Sequence, residues 1–233
     1  LFAAAVSCLP LAAGADAPPA GAAGDQRIKL IECARLLDPA AGRMLGQTTL
    51  VVADGRIKEI RPGAVDVERY RQASGNPDVT RLADATCMPG LIDAHTHLTM
   101  QFSRNSYSDK FRLNPADHAI RGTVYARRTL LAGFTAVRNL GDDDNASFAL
   151  RNAINAGLVP GPHVFSAGKP IGSTGGHADP SNGFRWDLQG DPGPKDGIID
   201  SPAEAWKAVR QHYKDGADLI KIMPSGGVLD ESS

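Results

Sequence analysis

Positive charge is never concentrated in this 233-residue chain, which carries 25 Lys and Arg against 26 Asp and Glu for a formal net charge of −1. Without a Lys/Arg block there is no continuous phosphate-binding stripe, so nucleic acid is not expected as a partner. Cysteine is scarce: Cys8, Cys33 and Cys87 are far apart and show no C-x-x-C spacing. That pattern predicts neither a disulfide framework nor a Cys-rich zinc site, and Cys33 and Cys87 read as small buried hydrophobes. No apolar run approaches the roughly 20 residues a membrane-crossing helix needs, so no integral span is expected. What is present is a globular composition, 42% apolar, enough for one large domain or one domain plus an appendage.

Residues 1–24, LFAAAVSCLPLAAGADAPPAGAAG, resemble the apolar region and small-residue cleavage zone of a secretory signal peptide followed by a linker. Cleavage after Ala15 is favoured over Ala17, where the following Pro18 would hinder a peptidase; Cys8 after Ala-Val-Ser offers a lipoprotein-type alternative. A secreted or periplasmic protein is the expectation. Leu1 is preceded by neither an initiator Met nor a charged leading region, so the start reads as missing.

Two styles of patterning follow. Over residues 25–88, strand-like pieces are broken by turn signals, and VVADGRIKEI is the clearest hairpin because Asp54-Gly55 suits a tight two-residue turn. A small β-sandwich-like module is expected there. From residue 89 to 233, short apolar strands alternate with helices, the grammar of βα units around a parallel sheet. The strands are Leu91–Leu98, Phe134–Leu140, His163–Gly168 and Asp218–Met223. Asn114-Pro115 starts a helix with an apolar stripe of Ile120, Val124 and Leu131 that Gly133 can end, and a second helix runs from about Asn145 to Gly157. Ser201 and Glu204 start another helix, with Trp206, Val209 and Tyr213 as its stripe and Gly216 as its stop. The connection from Lys169 to Asp200, rich in Gly, Pro and Asp, far exceeds the usual βα loop of about 2–6 residues and reads as functional.

Side chains alternate along a strand, so Asp93, His95 and His97 are expected on one face, with Ile92, Ala94 and Thr96 on the other. Two imidazoles one residue apart at a strand end can chelate one ion; a hydrogen-bonded surface pair is the bland alternative. Lys221 shares a face with Leu219 and Met223 in an apolar strand, where an unpartnered ammonium is costly. Its head either reaches water or an acid, or is held neutral by burial and free to react. Carbon dioxide converts such an amine to a carbamate with two oxygens, able to bridge two metal ions.

PGLIDAHTHL followed by GADLIKIMPSGG resembles the amidohydrolase superfamily, in its metal-dependent dipeptidase and imidazolonepropionase-like branch. The resemblance implies a (β/α)8 TIM-type barrel with its site at the C-terminal strand ends, here incomplete at about four βα units. It also implies two divalent metals, of which zinc is the expected identity, with His95 and His97 on the more buried ion and a carboxylated Lys221 bridging both. Asp93 would orient a ligand from behind or pack in the barrel floor. His177, in a Gly-Gly-His stretch, would face the substrate. Where the family often shows an acid, this chain has Asn139. His118 and His163 read as structural, and His212 lies near a helix C-terminus, where a cation is favourable.

The pattern further requires two later histidines and a strand-end aspartate that accepts the attacking water's proton. None lies in this chain; Asp142, Asp143, Asp144 and Asp179 sit on earlier loops and do not match. About 145 residues follow Pro89, against about 250 for a closed barrel, so the sequence reads as a fragment with the catalytic residue absent. Its expected chemistry is hydrolysis of a peptide or N-acyl amino acid C–N bond. The alternatives are a cyclic-amide hydrolase or deacetylase of the same superfamily, a non-catalytic fragment lacking the remaining ligands, and a single-metal module built on His95 and His97. As a fragment, the chain is expected to turn over negligibly and to expose an apolar sheet edge. A small peptide or N-acyl amino acid is the expected partner, and a homo-oligomer is left open.

Overall fold

The computed structural model describes residues 28–142 and 144–227. The leader expected at residues 1–24, Cys8 and Asp143 lie outside the described residues. The fold is mixed α/β, and internal contacts divide the chain into two compact units between Pro89 and Gly90.

The first unit is one five-stranded sheet. Strands β1 (Lys29–Asp38), β2 (Arg43–Leu45), β3 (Thr48–Ala53) and β4 (Arg56–Pro62) pair antiparallel, and after helix α1 (Val67–Ser74) strand β5 (Asp78–Cys87) returns parallel to β1. The β3–β4 turn forms because Asp54 and Gly55 both adopt positive φ, 53° and 69°, as a type I′ turn demands. Asp66 starts α1 by accepting the Glu68 N–H at 3.0 Å. Leu30 and Val51, with Ile28 and Ala53, bury one sheet face together with Tyr70 of α1. This is a single sheet with a helix, so the sandwich-like expectation is corrected: among the described residues of this unit there is no second sheet.

The reading of the cysteines is also corrected. Cys33 and Cys87 form a disulfide between β1 and β5, with Cα atoms 5.8 Å apart. They meet because β5 lies beside β1 in parallel register, a pairing across 54 residues that no local spacing announces.

In the second unit, β6 (Leu91–Thr96), β7 (Phe134–Asn139) and β8 (His163–Ser166) form a parallel sheet. Helices α2 (Ser106–Asp109) and α3 (Pro115–Leu131) follow β6, and α4 (Ala146–Asn155) follows β7. The long connection contains β9 (Ile171–Gly172), α5 (Trp186–Gln189) and a 3-10 turn at Pro194–Asp196, and α6 (Pro202–Asp215) leads to β10 (Ile222–Met223). The fourth strand is therefore shorter than its apolar run suggests. Its approach still lies beside the third: Asp218 N–H donates to Ser166 O and Ile171 N–H to Lys221 O, each at 2.8 Å, before β9 and β10 pair parallel.

Helix boundaries follow the expected chemistry. Asp117 reaches back to the Asn114 N–H at 2.8 Å, Gly133 leaves α3 at φ 99°, and Ser201 Oγ accepts the Glu204 N–H before α6. The faces do not. Ala126 joins Leu98, Val137, Leu150 and Val164 in the core, whereas Ile120 and Leu131 are each 68% exposed. On α6, Ala208 and His212 are buried while Trp206 and Tyr213 face outward. Small residues occupy the helix side that lies closest to the neighbouring elements, so the large apolar residues of both stripes sit on other flanks.

Candidate functional site

The two histidines lie at the end of β6 and just after it, where strict alternation is interrupted. Asp93 is in register with Val137 but Thr96 with Asn139, a slip of one residue, so the expectation of Asp93, His95 and His97 on one uninterrupted face is corrected. The slip accompanies a local bond: the Asp93 carboxylate turns along its own strand to accept the His95 N–H at 3.0 Å. The imidazoles of His95 and His97 nonetheless come together, with ring centroids 5.5 Å apart and planes tilted by 50°.

His97, the residue after β6, is aimed from the end of the neighbouring strand. Its Nδ1 faces the Gly141 carbonyl at 3.1 Å, so Nδ1 is the donor and Nε2 is turned away from that contact. The same carbonyl accepts the Asn139 side-chain N–H at 3.2 Å, and Asn139 Oδ1 accepts the Leu98 N–H at 2.6 Å. Fully buried Asn139 thus clasps β7 to the end of β6. Gly141 allows this closeness, since a Cβ there would stand 3.1 Å from His97 Cε1.

Lys221 is half-buried just before β10, and its charge reaches His95. Partial burial of the ring first, then the Lys221 charge, then His97, hold the His95 pKa below its ordinary value, with Asp93 opposing. The rest of the ring is open to solvent. A lowered pKa favours the neutral imidazole, the form that ligates metal. Imidazole binds such an ion at a metal–nitrogen distance of about 2.1 Å, and ring centroids 5.5 Å apart are close enough for two rings to share one. Among the described residues there is no group of three or more His, Cys, Asp and Glu able to hold a metal.

His177 joins from the long connection. Its N–H donates to Ser225 O at 3.0 Å, and its side chain lines a cleft of about 610 Å3 together with His97 and Met223. Neither His95 nor Lys221 is among that cleft's lining residues. Asp142 and Asp179 line it too, but both serve local structure. Asp142 accepts the Ser147 N–H in the first turn of α4. Burial would push the Asp179 carboxyl up, yet hydrogen bonds from Ser181 Oγ and from the Gly175 and Ser181 N–H groups outweigh it and hold the pKa low.

The remaining histidines lie elsewhere. His118 meets Thr99 O at 3.4 Å, His163 opens β8, and His212 is buried with its two ring nitrogens facing the Ala208 and Lys169 carbonyls. Sequence patterning did not single out the roles of Gly141, Tyr107, Lys110 and Phe184, the last three also lining the cleft. A glycine two residues after Asn139 was the available signal for the first.

The sequence pattern of the amidohydrolase family matches residues 86–232. The chain belongs to the amidohydrolase family. Ochratoxinase of Aspergillus niger is 29% identical to this amidohydrolase over 220 residues, 89% of this chain and 44% of the fungal protein. The crystal structure of a Xaa-Pro dipeptidase with methionine bound in its active site superposes with a TM-score of 0.80 at 37% identity, covering 87% of this chain and 48% of that one. The A. niger ochratoxinase structure superposes with a TM-score of 0.70 at 27% identity. This amidohydrolase therefore spans about half the length of the relatives it matches.

Proposed function

We propose that this amidohydrolase acts on a small amide, the peptide bond of a dipeptide or the acyl bond of an N-acyl amino acid, with metal held at the end of β6. The observation that carries the reading is the His95–His97 pair, one ring oriented by the Gly141 carbonyl and the other with its pKa held down by burial and by the Lys221 charge. The parallel β6-β7-β8 order, with the fourth segment alongside, supports reading the second unit as part of a (β/α) barrel whose site lies at the strand ends. The amide-hydrolysing relatives support the substrate class.

His95 and His97 would hold a divalent ion, zinc by its preference for imidazole, with a second ion shared through Lys221. Bound metal acidifies water and polarises a carbonyl, the chemistry that amide hydrolysis needs. An ammonium at Lys221 would repel such a cation. Reaction of the free amine with carbon dioxide forms an N–C bond and releases a proton, replacing a positive charge with a carbamate. Asp93 fixes the backbone of His95, and His177 stands along the cleft where the substrate would lie. The Cys33–Cys87 bridge, together with the leader expected at residues 1–24, supports an exported, secreted or periplasmic protein, because such bonds persist in oxidising compartments.

A second reading is metal binding by the imidazole pair without catalysis. Zinc titration with labelled bicarbonate, followed by dipeptide and N-acyl amino acid hydrolysis, separates the two. The chain is expected to retain zinc, to lose at least about tenfold in affinity as His97→Asn, and to show a carbamate carbon resonance absent from Lys221→Met. Chelator-sensitive C–N cleavage favours the hydrolase, whereas tight zinc without cleavage favours the second reading. Unchanged zinc affinity in His97→Asn overturns the site.

A further inference from the structure

We propose that Lys110 reads a carboxylate on the substrate, and that the aromatic wall beside it takes an aromatic or large apolar side chain. This deepens the hydrolase reading and rests on it for the identity of the bond cut. Lys110 follows α2, and its Nζ stands 5.0 Å from the centre of the Phe184 ring in the long connection. Tyr107 lies parallel to Phe184, with planes 4° apart and centroids at 6.4 Å, and Phe111 meets both rings edge-on. Two loops distant in sequence are thereby joined into one wall of the cleft that His97 lines.

Charge singles out Lys110. The neighbouring acid Asp109 pairs with Arg121 at 3.0 Å, and Lys169 is engaged by Asp144 and Asp196. Asp179 is satisfied within its own loop, and Asp142 is turned to α4. Among the described residues the one interaction of the Lys110 ammonium is with the Phe184 face. An exposed cation on an aromatic wall complements an anion whose carbon skeleton is apolar. A dipeptide or N-acyl amino acid with a free carboxylate next to an aromatic side chain has that chemistry, and the imidazole pair would then stand towards its amide.

The test is equilibrium binding by the full chain of N-acetyl-L-phenylalanine and its carboxamide, which differ only in the charge. The acid should bind roughly 1.5- to fivefold more tightly, the range for one exposed charge pair. Lys110→Met should erase the difference, Lys110→Arg should keep it, and Phe184→Ala should weaken both ligands alike. No binding of either ligand, no preference for the acid, or a preference that survives Lys110→Met overturns the proposal. Because binding is read without turnover, an acid preference that persists in a chain unable to cleave any amide with zinc removes the hydrolase reading alone.

Discussion

The two units solve the burial problem differently. In the first, hairpin neighbours pair antiparallel, a disulfide ties the parallel return, and Leu30, Val51 and Tyr70 close one core. In the second, parallel strands are joined through helices, the core is built on Val137, Leu150 and Val164, and large apolar side chains remain outside it: Ile92 is 72% exposed, Trp206 73% and Tyr213 84%. Local antiparallel pairing completes itself within a short stretch, whereas parallel strands need partners across long crossovers. The unit that closes on itself carries no candidate ligand, and the more open one carries all of them.

Removing the covalent tie is expected to have the largest effect. Cys33→Ala with Cys87→Ala should cost the first unit roughly 2–4 kcal/mol, because the bridge spans 54 residues. Segment-resolved hydrogen exchange in urea should show protection falling over β1 and β5 and holding over β6 to β8. Equal loss in both units would break the comparison. Leu150→Ala should cost the second unit about 3 kcal/mol, since Leu150 is fully buried against Val137 and Val164. Trp206→Ser, on the exposed face, should shift stability by less than about 0.5 kcal/mol while reducing self-association by sedimentation. A Trp206→Ser loss as large as that of Leu150→Ala would mean that face is packed in solution.

The smallest effect is confined to the loop around Asp179. Its folded pKa lies below its ordinary value, so the ionised carboxylate stabilises the loop above that value, and the gain is lost as pH falls through the lower folded pKa. Acidification below about pH 4 should therefore speed exchange of the Gly175 and Ser181 amides before β6 to β8 open. Asp179→Asn should abolish that pH dependence at a cost of about 1 kcal/mol. An identical acid profile in the variant would remove Asp179 as its cause.

Much of this architecture was legible where the cause is local. Asp54-Gly55, Asn114-Pro115, Ser201 with Glu204, and the glycines at 133, 157 and 216 act through their own dihedrals and neighbouring backbone groups, and each marks a boundary within a residue or two. What depended on distant partners was not. The Cys33–Cys87 bridge follows from β5 lying beside β1, and the slip between Asp93 and Thr96 from how β6 meets β7. The outward turn of Ile120 and Trp206 reflects which helix side approaches the core most closely, which periodicity alone does not choose. The histidines were found by type and spacing. Their aim was not, because it is set by a carbonyl 44 residues away.

That carbonyl makes the corner after β7 a lever on the neighbouring strand. A single peptide oxygen seats both the Asn139 amide and the His97 ring, so a twist of that peptide would rotate the imidazole without any change in β6 itself. Substitutions far from the imidazole pair in sequence, in the turn that carries Leu140 and Asp142, would then retune ion affinity while leaving every candidate donor intact.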